Sequence, residues 1–347
     1  MHLETPLRQL EESLGASFGE FAGWEMPMSY GNYRVEHMAV RESAAFFDLT
    51  HMGRLRIRGE PEEFDRLSTR GISRFSKGHM TGPQAFLNDR AGFIDDFMGY
   101  RVNDEEFLIV TNAMNREKVI SWIRRNSNLV VEDLTFDYVM LAIQGRRVWD
   151  FIPKPDLEPL QFKMNVQFMG QEVFLISRSG WTGEDGVEVW AKPQAAENII
   201  KALVERGVKP AGLITRDSIR QEMGFVLYGE DIDENVNPIE ARYWIFDLDR
   251  EYIGSETLKE LLKTGVERFR VGFKAKKGEN RLPRKGNEIL VNGVKAGYVT
   301  SSTYSPYLSR VIGMGYIDAK HMFLGTNVEA VTRTGKITVK LSDFPLI

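Results

Sequence analysis

The sequence predicts an α+β fold with a β-rich carboxyl-terminal domain. Patterns typical of buried strands and of amphipathic helices are interleaved through about the first 250 residues, without a clean boundary. After Gly254 the pattern changes to one helix followed by short strand-like runs. The 347 residues also exceed the usual size of a single hydrophobic core. We therefore expect a body at residues 1–255 and a separate domain at 256–347.

Two helices are expected near the start of the chain. Thr5 followed by Pro6 is typical of an N-cap with proline at the first helical position. The apolar face of this helix would consist of Leu7, Leu10 and Leu14. A second run at helical spacing starts near Val35 and continues toward Phe46 and Phe47. Its other apolar positions are Met38 and Ala39.

The next elements of the body are strands with a helix between them. Leu55 and Ile57 alternate with three arginines at positions 54, 56 and 58, which predicts a half-exposed strand. Continuous apolar runs predict buried strands at residues 107–110 and 139–143. The helix between these two strands would bury Val119, Trp122 and Ile123. Strands and helices are thus mixed throughout the body.

The carboxyl-terminal domain is predicted to be a small antiparallel β-barrel or sandwich. A helix near residues 256–263 precedes strand-like runs at 269–273, 288–291, 297–300 and 336–341. Turn signals such as Asn292-Gly293 separate several of these runs. A basic stretch at residues 274–285 follows the first run. It is either a solvated loop or a docking surface for an acidic partner.

Composition excludes several classes of function. Hydrophobic residues make up 42%, charged residues 27%, and the net charge is -4, which is ordinary for a globular protein and gives no overall basic surface for nucleic acid. The absence of cysteine excludes disulfides, thiolate metal sites and a cysteine nucleophile. The histidines lack metal-site spacing and no phosphate-binding loop is present, so neither a metal nor a nucleotide is expected.

We expect His51 to be a hydrogen-bonded structural histidine. The lack of a leader or membrane span predicts a cytoplasmic protein.

Two adjacent carboxylates follow the turn signal of residues 88–92. Asp95 and Asp96 stand in a hydrophobic neighbourhood without a neighbouring cation in sequence, where charge is costly. Because strand side chains alternate, one carboxylate should face inward and the other outward. Only one of the two is expected to carry chemistry.

Several motifs in a fixed order give the sequence its most specific signal. Residues 177–189 hold three glycines in seven positions around Trp181, and glycine permits the positive φ of a compact loop. Other segments of the pattern are residues 21–27, 47–53 and 211–220. Together these motifs resemble the aminomethyltransferase family, the T-protein of the glycine cleavage system. The resemblance runs from Thr5 to about Pro306.

The resemblance implies three domains arranged like a cloverleaf around a channel that binds tetrahydrofolate. The body would then contain two intertwined subdomains, the second at about residues 54–140. Glu188 would accept two parallel N–H bonds from the pterin, with Arg216 as the complementary cation. Asn112 would supply a neutral hydrogen-bonding group. Further pocket residues would be Trp181, Met52 and Tyr100.

The resemblance also implies a reaction and a partner. Asp96 matches the family's catalytic aspartate, which leaves Asp95 as its outward-facing neighbour. A lipoylated H-protein would present an aminomethyl group, tetrahydrofolate would take the carbon, and ammonia would leave. An ionised Asp96 would orient the attacking nitrogen and stabilise the cation that forms as sulfur departs.

Departures from the family pattern leave two alternatives open. Trp181 replaces the usual tyrosine, Pro83 stands where tyrosine is frequent, and the segment before Trp244 is one residue shorter than expected. Residues 342–347 lack the arginine usual there. One alternative is a tetrahydrofolate-dependent demethylase of a small sulfur or nitrogen compound. The other is a non-catalytic folate-binding protein, although such relatives carry a cysteine signature that is absent here.

Overall fold

The computed structural model describes residues 2–347, which form two compact units. The first unit comprises the chain up to Phe86 together with Asp95–Arg216. The second comprises Leu87–Ile94 together with Asp217–Ile347. The domain boundary at residue 255 and the subdomain limits stay predictions.

Helices and strands are mixed along the described chain, which confirms the α+β prediction. The helices are α1 Arg8–Ser13, α2 Tyr33–Glu42, α3 Pro61–Asp65, α4 Arg116–Asn126, α5 Pro193–Glu205, α6 Leu213–Met223 and α7 Ser255–Thr264. The strands are β1 Leu3–Glu4, β2 Ser17–Phe21, β3 Trp24–Ser29, β4 Ala45–Asp48, β5 Gly53–Arg58, β6 Met80–Leu87, β7 Phe93–Arg101, β8 Glu106–Thr111, β9 Val130–Asp133, β10 Val139–Gln144, β11 Phe162–Phe168, β12 Gln171–Ser177, β13 Gly186–Ala191, β14 Lys209–Pro210, β15 Arg268–Ala275, β16 Glu288–Val291, β17 Val294–Ser305, β18 Arg310–Asp318, β19 Asn327–Thr332 and β20 Gly335–Ser342.

Three sheets organise the first unit. Their strand orders are β1-β3-β2, β6-β7-β8-β5-β9 and β11-β12-β13-β10-β4-β14. Helix α5 packs on the six-stranded sheet, because Ile199 and Leu203 belong to the same buried cluster as Leu141 and Val189. This core places β13 next to β10 and fixes the position of the loop that precedes β13.

The first helix begins at Arg8 with Leu7 as its N-cap, so the predicted N-cap at Thr5 and the predicted first helical position at Pro6 are wrong. Thr5 Oγ1 accepts a hydrogen bond from Leu7 N (3.3 Å) and donates to Asp48 Oδ2 (2.5 Å). Leu7 is buried in the core, and Leu10 packs against it. The threonine therefore ties the amino-terminal segment to the end of β4.

The predicted apolar face of the second helix is wrong. Val35 is 56% exposed, whereas Glu36 is buried. Burial of this carboxylate is tolerated because it accepts hydrogen bonds from Tyr30 N (2.7 Å), Gly212 N (3.0 Å) and Thr215 Oγ1 (2.8 Å). The apolar run that follows the helix, around residues 46 and 47, forms β4.

The prediction for Arg54 is also wrong, because the alternation in β5 predicts that its side chain is exposed. Leu55 and Arg54 are both fully buried. The guanidinium donates to the carbonyl oxygens of Thr50 (3.1 Å), Met52 (2.8 Å) and Tyr138 (2.9 Å). These carbonyls replace water around the cation, and burial lowers the pKa of Arg54 to about 10.

A closed antiparallel barrel forms most of the second unit, as the sequence predicts. Its strand order is β15-β18-β17-β16-β19-β20. Strands β18 and β19 were absent from the predicted set. Glycines in β18 permit close strand approach: a Cβ on Gly313 would lie 2.4 Å from Ser301 O, and one on Gly315 would lie 2.3 Å from Tyr298 O.

The turn at residues 87–94 belongs to the second unit, although strands β6 and β7 flank it in sequence. Phe93 N donates to Asp233 O (3.1 Å), and Tyr228 Oη donates to Phe93 O (3.0 Å). Asn88 Nδ2 donates to Glu234 O (3.1 Å). These bonds pair the turn with residues 228–234 of the same unit.

Candidate functional site

Three of the predicted site residues lie in one row across the five-stranded sheet. The antiparallel register of β7 with β8, continued two residues beyond its last pair, places Asp96 opposite Asn112. The register of β8 with β5, continued by one residue, places Met52 opposite the same asparagine. Asn112 Nδ2 lies 2.8 Å from Asp96 Oδ1. The sheet therefore brings these side chains together at one end of its three central strands.

The orientation predicted for the Asp-Asp pair is reversed in the structure. Asp95 is 0% exposed, whereas Asp96 is only partly buried. Burial of Asp95 is supported by hydrogen bonds from Asn112 N (3.1 Å), Asn112 Nδ2 (2.9 Å) and Asn115 Nδ2 (2.7 Å). Burial, followed by the charge of Asp96, raises the pKa of Asp95 well above its ordinary value.

The loop between β4 and β5 is fixed at both of its ends. Asp48 Oδ1 accepts a hydrogen bond from Thr50 N (2.8 Å), and Arg54 holds the Met52 carbonyl (2.8 Å). Burial, together with the charges of Arg216 and Arg54, lowers the pKa of His51 well below its ordinary value. His51 is therefore a neutral, buried ring on this loop.

Arg216, on α6, contacts His51, Met52 and Trp181. One guanidinium nitrogen donates to His51 Nε2 (3.2 Å), and two lie 3.7 Å from Met52 Sδ. The guanidinium carbon lies 4.8 Å from the centroid of the Trp181 ring. This cation–π contact and the two side chains of the 49–52 loop set the direction of the cation.

The loop that carries Trp181 is held by side chains of the body. Gln144 Nε2 donates to Ser179 O (2.8 Å), and Arg41 donates to Thr182 O (2.6 Å). A Cβ on Gly180 would lie 1.9 Å from Gln144 Oε1, so a larger residue there would displace the Gln144 amide that holds this loop. The Trp181 ring packs edge-on against Phe47, with centroids 5.3 Å apart. Its Nε1 is buried and has no acceptor among residues 2–347.

Glu188 is a buried carboxylate on β13 with one oxygen left for a ligand. Ser179 Oγ donates to Oε2 (2.5 Å). Oε1 has no donor among the described residues and keeps some contact with solvent. Burial raises the pKa of Glu188, while Ser179 and the charge of Arg216 act in the opposite direction.

Tyr100 is the predicted site residue that is enclosed by other aromatic rings. Its side chain is fully buried, with ring centroids 5.4 Å from Phe162 and 5.7 Å from Trp190. The charge of Glu188 adds to burial in raising the pKa of the Tyr100 hydroxyl. Tyr100 thus packs against Trp190 of β13, and its role as a pocket wall stays a prediction.

The remaining predicted residues form a continuous cluster from Asp96 through Asn112, Met52 and Arg216 to Trp181 and Glu188. Sequence reasoning missed Asn115 and Ser179, which hold Asp95 and Glu188 respectively. The sequence offered two signals for these residues, an asparagine three positions after Asn112 and a serine inside the glycine-rich loop. Among residues 2–347 no group of His, Cys, Asp or Glu is arranged to hold a metal ion. In the same range no helix is long and apolar enough to cross a membrane.

Two family models match the sequence with this fold. The model described as the GCVT N-terminal domain covers residues 7–249. The model described as the glycine cleavage T-protein C-terminal barrel domain covers residues 268–347. The chain belongs to the glycine cleavage T-protein family.

Relatives of this T-protein family member cover nearly its whole length. A probable aminomethyltransferase from Aeropyrum pernix is 40% identical over 98% of this chain and 96% of its own. An aminomethyltransferase from Halothermothrix orenii is 37% identical over 99% of each chain. A crystal structure of glycine cleavage system aminomethyltransferase T from Bartonella henselae matches with a TM-score of 0.92 at 30% identity, over 100% of this chain and 98% of that one. The predicted aminomethyltransferase family and transferase activity are confirmed.

Proposed function

We propose that this T-protein family member transfers the one-carbon unit of S-aminomethyl-dihydrolipoyl H-protein to tetrahydrofolate and releases ammonia. The observation that carries the proposal is the available oxygen of Glu188, buried beside the charge of Arg216 in one cluster with Asp96. A buried acceptor of this kind suits a planar ligand with adjacent N–H groups. The pterin ring of tetrahydrofolate has such an edge.

The donor and acceptor groups of the cluster fit the ligand. Glu188 Oε1 would accept from the pterin edge, and Trp181 offers a buried indole N–H without an acceptor. Arg216 would balance the carboxylate, since a buried charge without compensation is costly. A negative charge on Glu188 is favoured by the Ser179 hydrogen bond. These residues bind and orient the acceptor of the carbon unit.

Asp96 would act on the charge that develops during transfer. The carbon–sulfur and carbon–nitrogen bonds of the aminomethyl group break, and two bonds form from the carbon to folate nitrogens. The two hydrogens lost by those nitrogens equal the two gained by ammonia and the lipoyl thiol. Positive charge accumulates on the carbon as sulfur leaves, and an adjacent carboxylate stabilises it. Asp96 is partly exposed and keeps its orientation through Asn112.

The H-protein would dock on exposed cations of the barrel unit. Lys276, Lys277 and Arg284 are exposed and make no ion pair among the described residues. In the same stretch Arg281 is paired with Glu279 (2.6 Å). The unpaired cations would receive an acidic partner surface.

The proposal is tested by measuring ammonia release from aminomethylated H-protein with and without tetrahydrofolate. We expect release that depends on tetrahydrofolate and yields methylene-tetrahydrofolate in equal amount. Release of no ammonia, together with demethylation of a small methylated donor, would replace this proposal with the demethylase. Folate binding without either reaction would favour the non-catalytic alternative.

A further inference from the structure

The buried Asp95 carboxylate, next to the partly exposed Asp96, accepts three hydrogen bonds. It accepts from Asn112 N, Asn112 Nδ2 and Asn115 Nδ2, at 2.7 to 3.1 Å. No Lys, Arg or His forms an ion pair with it among residues 2–347. Its fixed partners are therefore two asparagine side chains and one backbone amide.

Asn112 connects the two carboxylates. Its Nδ2 lies 2.9 Å from Asp95 Oδ1, 2.8 Å from Asp96 Oδ1 and 3.0 Å from Asp96 O. Since an amide nitrogen has two hydrogens, these three acceptors share them. Asp95 therefore helps to fix the Asn112 side-chain amide, and this amide in turn contacts the Asp96 carboxylate.

We infer that Asp95 is a positioning residue that orients the Asp96 carboxylate through Asn112. The inference rests on the proposed function, because it assigns Asp96 the reacting position. Asp95 also anchors Asn112 through the backbone amide, so both the main chain and the side chain of Asn112 are fixed. A carboxylate held in this way is already oriented before the donor arrives, which reduces the cost of reorganisation.

The carboxylate chemistry of Asp95 is required for this arrangement. Three N–H donors face Asp95, and a carboxylate can accept all of them. In Asp95→Asn one oxygen becomes an amide group, so at least one donor would face another donor. Either the backbone N–H of Asn112 or the side-chain amides of Asn112 and Asn115 would then face a donor, so Asn112 would shift and the Asp96 carboxylate would lose its fixed orientation.

A double-mutant cycle tests the inference. Asp95→Asn should lower kcat by about tenfold while the dissociation constant for tetrahydrofolate changes by less than about twofold. In the Asp96→Asn background the same change should lower kcat by less than about twofold, because its effect passes through Asp96. Equal losses in both backgrounds would overturn the inference. Asn112→Ala should also lower kcat, and this loss too should nearly vanish in the Asp96→Asn background.

A structural readout separates this inference from the proposed function. A crystal structure of Asp95→Asn should show the contact between Asn112 Nδ2 and Asp96 Oδ1 lost, and retention of the 2.8 Å contact would contradict the inference. This measurement remains decisive if the wild type releases no ammonia, which would overturn the proposed function alone.

Asp65→Asn is the matched control. Asp65 is another hydrogen-bonded carboxylate of low exposure in the same unit, accepting from Ile72 N (2.6 Å). Its loss should lower the melting temperature without changing kcat.

Discussion

The side chains of the site divide the proposed reaction between binding and chemistry. Glu188 and Arg216 are buried or half-buried on β13 and α6, and their charges interact. Asp96 lies within β7 with part of its surface exposed. A buried carboxylate serves recognition, and a reachable one serves the reacting carbon. Mutations at the two positions should therefore affect different steps.

Asp96→Asn should lower turnover by about 10²-fold or more, because the amide keeps the shape of the side chain but loses the charge that stabilises a developing cation. Tetrahydrofolate binding should stay within about twofold of the wild type. Single-turnover kinetics with aminomethylated H-protein, combined with calorimetry, would measure both. Asp104→Asn is a suitable control, because Asp104 is exposed on the same unit. Unchanged turnover in Asp96→Asn would remove this residue from the mechanism.

Glu188→Gln should weaken tetrahydrofolate binding by roughly 1.5 to 3 kcal/mol, the range for hydrogen bonds to charged groups. The amide offers one acceptor oxygen where the carboxylate offers two. Burial raises the pKa of Glu188, so wild-type affinity should fall as the pH drops through that pKa, while the affinity of the glutamine variant should not respond there. Titration calorimetry at several pH values would show this. Equal affinities for both proteins would place the pterin elsewhere.

Sequence patterns identified which side chains matter but not how each one is oriented. Alternation along β7 gave the correct contrast between Asp95 and Asp96 but not which of them is buried. That choice depends on Asn112 and Asn115, which come from β8 and the turn after it. Arg54 shows the same limit, because its carbonyl partners lie 4 residues before it and 84 residues after it.

The loops and strands of the second unit suggest how a partner protein could be recognised. Residues 276–287 connect β15 to β16 and carry the unpaired cations of the docking proposal. Such exposed charges mainly change the rate of association and are sensitive to salt. Their contribution can be separated from that of the proposed folate-binding residues, which lie in the first unit.

Reversal of Lys276, Lys277 and Arg284 to glutamate should raise the apparent KM for aminomethylated H-protein and flatten its dependence on salt. The affinity for tetrahydrofolate should not change. A control with the same change in net charge reverses Lys295, Lys320 and Lys336, which are exposed elsewhere on this unit. The docking proposal fails if both triple variants respond alike, or if the first one handles H-protein like the wild type at low salt.

The barrel was predictable as an architecture, although two of its strands were not. β16 matches its predicted range, and β20 exceeds its range by one residue at each end. β18 contains two glycines, which normally weaken a strand prediction. In the structure Gly313 and Gly315 face atoms too close for any side chain. The pattern is broken because β18 lies too close to the backbone of its neighbour β17 to admit side chains at these two positions.

The unfolding of the protein should depend on pH through buried acids outside the proposed site. Glu11 on α1 is fully buried, and Tyr30 Oη donates to its Oε1 (3.0 Å). Burial, and then the charge of Asp48, raises the pKa of Glu11 well above 4.5. As the pH rises above 4.5, the unfolded chain loses this proton before the folded chain does. The free energy of unfolding therefore falls until the folded pKa is passed.

Glu11→Gln should remove this part of the pH dependence. We expect the free energy of unfolding to increase on the order of 1 kcal/mol at about pH 7.5 and to change little at about pH 4. Denaturant unfolding at the two pH values measures the difference. Glu12→Gln is the matched control on the same helix, because Glu12 is exposed and pairs with Arg8 (3.0 Å). An equal gain at both pH values would contradict the assignment to Glu11.

The turn at residues 87–94 affects the order in which parts of the protein can fold during synthesis. Translation proceeds at roughly 5–20 residues per second, so several seconds separate the appearance of Phe93 from that of Asp233, its hydrogen-bond partner. During this interval the strands on either side of the turn can pair while the turn itself waits for its partners. The second unit therefore cannot close as an independent product of the later part of the chain. Its folding depends on a segment made before most of the first unit.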